Sequence, residues 1–421
     1  MKNLKILFWK FIKLLPAPIR ARHTRMLYKA DLNYTDGPLR NVRYKVAETY
    51  DEYLQAFKLV QDNYKRLGMT KSDDFIKTTK FNLLPTTLVM IAMNDDEVIA
   101  TVSLVIDNSL GLPTEEYQDI SFLRKNGARI VEIGALTVKE EWRSRSRGVF
   151  IPLTCYCNYY AREIIGAKYA VISIRKSVQS FYEDIYLFKQ LGEVKKYDGV
   201  NNLKSVSMYT DLTEQLEETH KVYRNSPMDK SVYEHAKLTP WKNICDLTLP
   251  KYQLLTKHIF TTDEIKSLFT ELSHVIDELE DKEKSIVKNY YERDNFIQNM
   301  TSSYDEIMAK RADQRFFVNL SARIITDERV VPVSVLDVSS SGLSLYSDYE
   351  IDGAQYYNII IDLADKTSIK LKLNKEWSKA SRKFGFSIVK KENTHWNEMI
   401  NYFTTYLYGE EEVGASNKKA S

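Results

Sequence analysis

Apolar positions recur along the chain in two rhythms, helical and alternating, and the changes between them divide it. Near the start, Leu4, Phe8, Phe11 and Leu15 recur at helical spacing while Lys5, Lys10 and Lys13 interrupt every apolar run. No stretch there reaches the roughly 18 to 20 apolar residues that a bilayer demands. A secretory signal fits poorly, because lysines break the apolar run and no small-x-small cleavage site precedes Pro16 and Pro18. Residues 1–30 hold eight Lys or Arg and no Asp or Glu. The expectation is a basic amphipathic segment lying on an anionic membrane surface through residues 1–22, or a helix packed on the protein's own surface.

The next stretch is mixed. Tyr53, Phe57, Val60 and Tyr64 share a helical face, and the β-prone runs Thr87 to Ile91 and Val98 to Ile106 flank the turn-forming Asn94-Asp95-Asp96, which predicts a hairpin. A strand over Arg129 to Val138, a helix from Val149 to Ile165, a strand over Tyr169 to Ile174, a short helix near Ser180 to Lys189 and a last strand complete a unit over 43–215. Residues 216–260 show no period and read as a connector. Thr261-Thr262-Asp263-Glu264 then offers a capping box. Ile265, Leu268, Leu272, Val275 and Leu279 start a series of threes and fours that ends at Ile307. This predicts a long helix or helical hairpin over 261–307, serving as a homodimer seam through 265–307 or packing on a neighbouring domain.

From 308 to 408 the rhythm is short and alternating. Strands are predicted at Val333 to Val338, Leu343 to Tyr346, Tyr357 to Leu363, Ile369 to Leu373 and Phe384 to Val389, closed by a helix with Trp396, Met399, Ile400, Phe403 and Leu407. Such spacing argues for a small antiparallel β-barrel. Residues 409–421 read as a disordered tail. The fold class is thus α+β and multidomain.

Composition changes this picture little. With 43% hydrophobic and 28% charged residues the chain is ordinary globular protein, and a net charge of +3 over 421 residues gives no reason to expect a nucleic-acid polymer as partner. Three cysteines are too few for a disulfide framework and point to the cytoplasm, peripheral on the inner membrane if the basic segment binds there. Cys155 and Cys157 have no second pair downstream and read as buried thiols, with no metal and no tightly bound cofactor expected.

Two resemblances give the pattern a function. The order helix, hairpin, strand, helix, strand, helix is that of the GNAT acyltransferase fold. Leu84-Pro85-Thr86-Thr87, the run Thr101 to Ser109, Gly111-Leu112-Pro113, Arg124 with Gly127, Glu132-Ile133 and Phe181-Tyr182 resemble the GNAT-related N-acyl amino acid synthases, relatives of the acyl-homoserine-lactone synthases. The resemblance covers about 170 residues, and it implies transfer of a fatty acyl group from acyl carrier protein to an amino acid's nitrogen. Glu132 matches the glutamate of the family's strand and Asp107 the aspartate before the Gly-Leu-Pro turn. The pattern departs at Ala135, where the family often carries arginine. In the barrel region, Arg311 and Arg315 followed 22 residues later by Asp337-Val338-Ser339-Ser340-Ser341-Gly342 resemble the Arg-x-x-x-Arg and Asp/Asn-x-Ser-x-x-Gly signatures of PilZ domains. That likeness implies cyclic di-GMP as a regulatory ligand.

Chemistry assigns roles beside these likenesses. Aminolysis of a thioester needs a base for the amine, donors for the oxyanion and room for the acyl chain. Glu132 in an apolar strand would have its pKa raised toward a useful value, unless it lies on a solvated face or pairs with Arg129 or Arg143. Asp107 could orient the amine or tie its loop. Arg143, Arg145, Arg147 and Gly148 open a helix and suit the phosphate of a phosphopantetheine arm and the acidic surface of its carrier, or form a solvated basic loop. In the barrel, Arg311 and Arg315 suit phosphates and guanine edges, Asp337 suits guanine N–H groups, Ser339 a phosphate or base, and Gly342 close backbone approach. The alternative is a non-catalytic cyclic di-GMP effector whose GNAT-like part only binds an acyl carrier, lipid or protein.

Overall fold

The computed structural model describes residues 15–408 except 32–40, 109, 144–145, 198–200, 228–229, 239–242, 247–259, 285–286, 288–314, 326–329, 348, 350, 352–355, 364–366 and 380–382. The basic segment before residue 15, Arg145, Arg311, residues 288–307 of the expected helix and the tail 409–421 lie outside these.

The first unit runs α1 (Ala17–Asp31), β1 (Val42–Val46), α2 (Tyr50–Arg66), β2 (Thr87–Asn94), β3 (Glu97–Ile106), β4 (Ile130–Val138), α3 (Ser146–Tyr159), β5 (Tyr169–Arg175), α4 (Gln179–Tyr186), β6 (Lys189–Tyr197) and β7 (Leu203–Asp211). Helix α2 begins at a capping box in which Thr49 and Glu52 satisfy each other's backbone N–H groups, and it buries Tyr53, Ala56, Phe57 and Val60. The hairpin β2–β3 turns at Asp95, held at φ 52°, a conformation that aspartate tolerates. Strand order is β1-β2-β3-β4-β5-β7-β6. Among the described strands only β4 and β5 pair in parallel, from Ile130↔Tyr169 to Ile133↔Ile172. Beyond Ile133 the two strands part, opening the sheet at its centre.

Strand β4 carries a bulge at the same place. Thr101 and Ser103 of β3 face Thr137 and Gly134, so one more residue lies between the partners on β4 than on β3, and Ala135 takes φ 52°. A non-glycine residue held there is costly backbone, of the sort kept where a site needs it. Helix α3 ends in a π-helical turn, Tyr160–Ile164, and fills one face of the sheet with Leu153, Tyr156 and Cys157. All three cysteines are free and buried, and burial pushes the Cys155 and Cys157 thiols up to about 12.

Two expectations change, and for the N-terminal region the described part shows the packed alternative: α1 is docked on the protein, since Arg20 pairs with Glu183 at 2.9 Å and Asp184 at 3.0 Å, and Thr24 donates to Asp184 at 3.1 Å. Residues past 215 do not form a plain connector: α5 (Leu212–Tyr223), α6 (Val232–Ala236) and an isolated bridge of Cys245 to Tyr44 place Tyr223, Val232, Leu238 and Cys245 in the sheet's core. The anchors are too sparse to make a period. The helix from 261 is not continuous: α7 (Thr262–Ile265) passes into a π-helical turn, Lys266–Glu271, and stops at Leu272, whose carbonyl accepts from Phe75 at 3.1 Å. Ile265, Leu268, Phe269, Val275 and Leu279 pack with Tyr53, Phe57 and Ile76 inside one cluster. Over 265–279 the apolar stripe is therefore consumed within the chain.

The second unit is a closed barrel of β8 (Phe316–Ile325), β9 (Val330–Val338), β10 (Gly342–Tyr346), β11 (Tyr356–Asp362), β12 (Ser368–Lys379) and β13 (Lys383–Lys391), in the order β10-β13-β12-β11-β8-β9. Strand β8 escaped the sequence reading although Phe316, Val318, Leu320, Ala322 and Ile324 alternate inward. Helix α8 (His395–Tyr408) seals one side with Trp396, Met399 and Phe403, all buried. Barrel and α2–α7 side chains belong to one buried apolar cluster. No described helix is long and apolar enough to cross a membrane.

Candidate active site

Glu132 sits on β4 just before the strands part. It is 4% exposed, and no cation pairs with it among the described residues. Its Oε2 accepts from the Thr114 backbone N–H at 2.8 Å, and the Ser173 hydroxyl lies 3.5 Å from Oε1. Thr114 and Ser173 hydroxyls meet at 2.7 Å. Burial pushes this carboxyl up to about 7, against the opposing hydrogen bonds from Thr114. The expected pairings with Arg129 or Arg143 do not occur. Arg129 donates to the carbonyls of Ile165 and Val318, and Arg143 to the carbonyl of Val138 at 3.0 Å and to Asn63 at 2.8 Å.

Two cavities meet where β4 and β5 diverge, and Gly134, Ala135, Ser173 and Arg175 line both. The larger, about 310 Å³, is walled by Phe150, Cys157, Tyr182, Tyr186 and Phe188 from the helical side. The smaller, about 170 Å³, holds Glu132 together with Lys77, Ser103 and Ser205. A carboxyl of near-neutral pKa thus stands beside a bulged strand whose backbone leaves regular pairing, in the smaller of two adjoining cavities. Such a place can deprotonate an amine and hold an oxyanion.

The other candidates of this domain fall elsewhere. Asp107 lines neither cavity. Arg124 clasps it with two bonds, 2.7 and 2.8 Å, and also donates to Glu115, so Asp107 ties the loop before β4. Gly148 lies in the first turn of α3, where its carbonyl accepts from Tyr44 at 3.4 Å. Arg145 and the side chain of Arg147 lie outside the described residues. Sequence reasoning missed Thr114 and Ser173; Thr114 follows Pro113 in a 3-10 turn, Pro113–Glu116, and nothing in the local pattern aims it at Glu132.

In the barrel, Arg315 pairs with Asp337, and Ser344 donates to the same carboxylate at 2.5 Å. Both members of the pair are partly exposed. Asp337 stands between irregular pairings, since β8 has extra residues between Phe317 and Leu320 and β9 has one beside Ser344. Ser339 and Gly342 do something else. Ser339 is buried and accepts from the Gly342 N–H at 3.1 Å, closing the turn, and a Cβ on Gly342 would meet the Phe386 carbonyl at 2.7 Å. Glycine is there so that β10 and β13 can approach. Arg311 lies outside the described residues.

One residue connects the two sites. Arg129, immediately before β4, donates to the carbonyl of Val318 in the β8 irregularity at 3.0 Å. Burial lowers its guanidinium to about 10, while nearby Asp337 acts in the opposite direction.

Comparison with known proteins places these features. Residues 55–211 match the family model of the N-acyl amino acid synthase FeeM. No curated protein matches the chain. Among solved structures, FeeM from uncultured soil microbes is 20% identical, with 42% of this chain and 94% of that one covered at a TM-score of 0.38. The CoA-dependent acyl-homoserine lactone synthase BjaI is 13% identical over 47% of this chain and 99% of that one, TM-score 0.34. The Bacillus subtilis inhibitor of motility MotI/DgrA is 13% identical over 23% of this chain, which spans only 50% of that one, TM-score 0.20. Residues 55–211 thus match an N-acyl amino acid synthase model, and the seven-stranded sheet that holds them is joined in one chain to a closed six-stranded barrel.

Proposed function

We propose that the chain is an N-acyltransferase that moves a fatty acyl group from acyl carrier protein to an amino acid or amine, under the control of cyclic di-GMP bound at the barrel. The observation that carries the catalytic half is Glu132, desolvated and without a cation partner where the two cavities meet. In this reading the acyl chain and pantetheine arm occupy the chamber of Phe150, Tyr182 and Phe188, and the amine enters the chamber of Glu132. Glu132 takes the amine's proton, the nitrogen attacks the thioester carbonyl, backbone donors at the β4 bulge hold the oxyanion, and the thiolate leaves. A spent site would have no need to keep a carboxylate out of water, and this favours chemistry over a carrier-binding role alone.

The regulatory half rests on the Arg315–Asp337 pair. A guanidinium and a carboxylate that satisfy each other at a barrel rim can exchange partners for phosphate and guanine, both of which suit them. Arg129 offers the route inward, because it bonds to β8 beside this pair and lies three residues before Glu132. The test is to incubate the purified chain with acyl carrier protein charged with several chain lengths and an amino-acid pool, with and without cyclic di-GMP, and to search for new amides by mass spectrometry. Amide that depends on enzyme and changes in rate with the dinucleotide supports the reading. No amide under any donor would remove the catalytic half, and dinucleotide-independent turnover the regulatory half.

A further inference from the structure

The acceptor chamber contains more positive charge than the reaction itself requires. Besides Glu132, its wall carries Lys77 and Arg175, both half-buried, and neither side chain has a hydrogen-bond or ion-pair partner among the described residues. Arg175 ends β5, two residues beyond Ser173. Alternation along a strand therefore places Arg175 on the face from which Ser173 approaches Glu132. Three other partly buried cations, Arg20, Arg124 and Lys80, are each met by carboxylates. Two cations without a partner among the described residues, facing one small and largely apolar chamber, cost solvation whenever a ligand closes it.

We propose that Arg175 and Lys77 form an anion-binding subsite of the acceptor chamber, so that the amine carries two acidic groups, as an acidic amino acid does. This rests on the reading of the smaller cavity as the acceptor's. The charge count is the reason. The attacking amine enters the reaction neutral, and Glu132 becomes neutral on taking its proton. The chamber then holds two cations, and a dianionic acceptor leaves the closed complex balanced. A monocarboxylate leaves one cation desolvated and alone. The chamber's volume of about 170 Å³ suits a compact acceptor of this kind.

Two measurements on the full-length chain test the proposal. The first is calorimetric binding of glutamate, aspartate, glutamine and asparagine to wild type, Arg175→Met and Lys77→Met. The second is the acceptor KM and kcat for the same four with a medium-chain acyl thioester of the carrier protein. Acidic acceptors are expected to bind about tenfold or more tightly than their amides, and each substitution to reduce that preference mainly through KM. Arg175→Lys should restore part of it, which a merely structural role would not allow. Equal binding of glutamate and glutamine to wild type overturns the proposal, whether or not turnover is seen. Charge-selective binding without any turnover would remove the acyltransferase reading and leave the subsite. Turnover indifferent to acceptor charge would do the reverse.

Discussion

The two polar sites of this molecule treat charge in opposite ways. In the synthase-like domain Glu132 is buried with two neutral donors and no paired cation among the described residues, so its charged form is held at a disadvantage and its pKa rises to about 7. In the barrel Asp337 is met by Arg315 and by Ser344, so its charge is already satisfied. The first arrangement keeps a group ready to change protonation during a reaction. The second keeps charges in place until a better partner displaces them. Partial exposure matters to this contrast, because an exposed pair contributes only about 1 kcal/mol or less and can be exchanged at little cost.

Removing the unpaired carboxylate should have the largest effect. Glu132→Gln keeps shape and, through its one amide oxygen, can still accept from the Thr114 N–H, but it removes the base, and turnover is expected to fall by roughly 10² to 10⁴-fold with the circular dichroism spectrum unchanged. Near-normal turnover would place the base elsewhere. In the barrel, Arg315→Ala and Asp337→Ala should each weaken cyclic di-GMP binding by roughly 10-fold or more, since each removes a charge-assisted contact. Calorimetry checks this, and the melting temperature should hardly move.

The connection between the sites is the next target. Arg129→Gln should leave dinucleotide affinity nearly intact while abolishing its effect on acyl-donor affinity, a coupling of roughly 5-fold or more. Calorimetric titration of the dinucleotide with and without a non-reactive acyl-carrier analogue measures it. A coupling that survives the substitution would move the route away from Val318.

The smallest effect concerns stability, and its sign follows from Glu132. The folded carboxyl at about 7 lies above its unfolded value of 4.5, so the native state holds an extra proton between them. Stability therefore falls as pH rises from about 4.5 to about 7, by up to roughly 3 kcal/mol. Glu132→Gln should lack that decline and be the more stable protein at alkaline pH in urea melts. Parallel pH profiles for the two proteins would contradict the desolvated state of the carboxyl.

Much of this architecture was legible in the residues, for reasons that differ by region. The hairpin at Asp95, the strand ending at Val138 and the barrel strands from Val333 onward are marked by turn residues and by alternation that burial enforces. Strand β8 follows the same alternation and was passed over beside the arginine motif. The apolar stripe after Thr261 suggested a long helix because steps of three and four also occur in a helix broken at Leu272 and folded against α2. Glu132 could be chosen from its apolar strand. Thr114, Ser173 and Arg129 could not, because they act through contacts across 18, 41 and 189 residues of sequence. Gly342, read from the sequence as allowing a ligand's close approach, also lies against the Phe386 carbonyl, a contact that no local pattern announces.

The central claim is that a buried, unpaired carboxylate serves as the base for amide formation. Its most direct test is the rate of amide formation under saturating acyl donor, for wild type and Glu132→Gln, across about pH 5 to 9. The wild-type rate should climb to a plateau with an apparent pKa near the folded value of about 7, and the variant should be slow and without that inflection. A wild-type rate flat across this range, or an inflection shared by Glu132→Gln, would contradict the account.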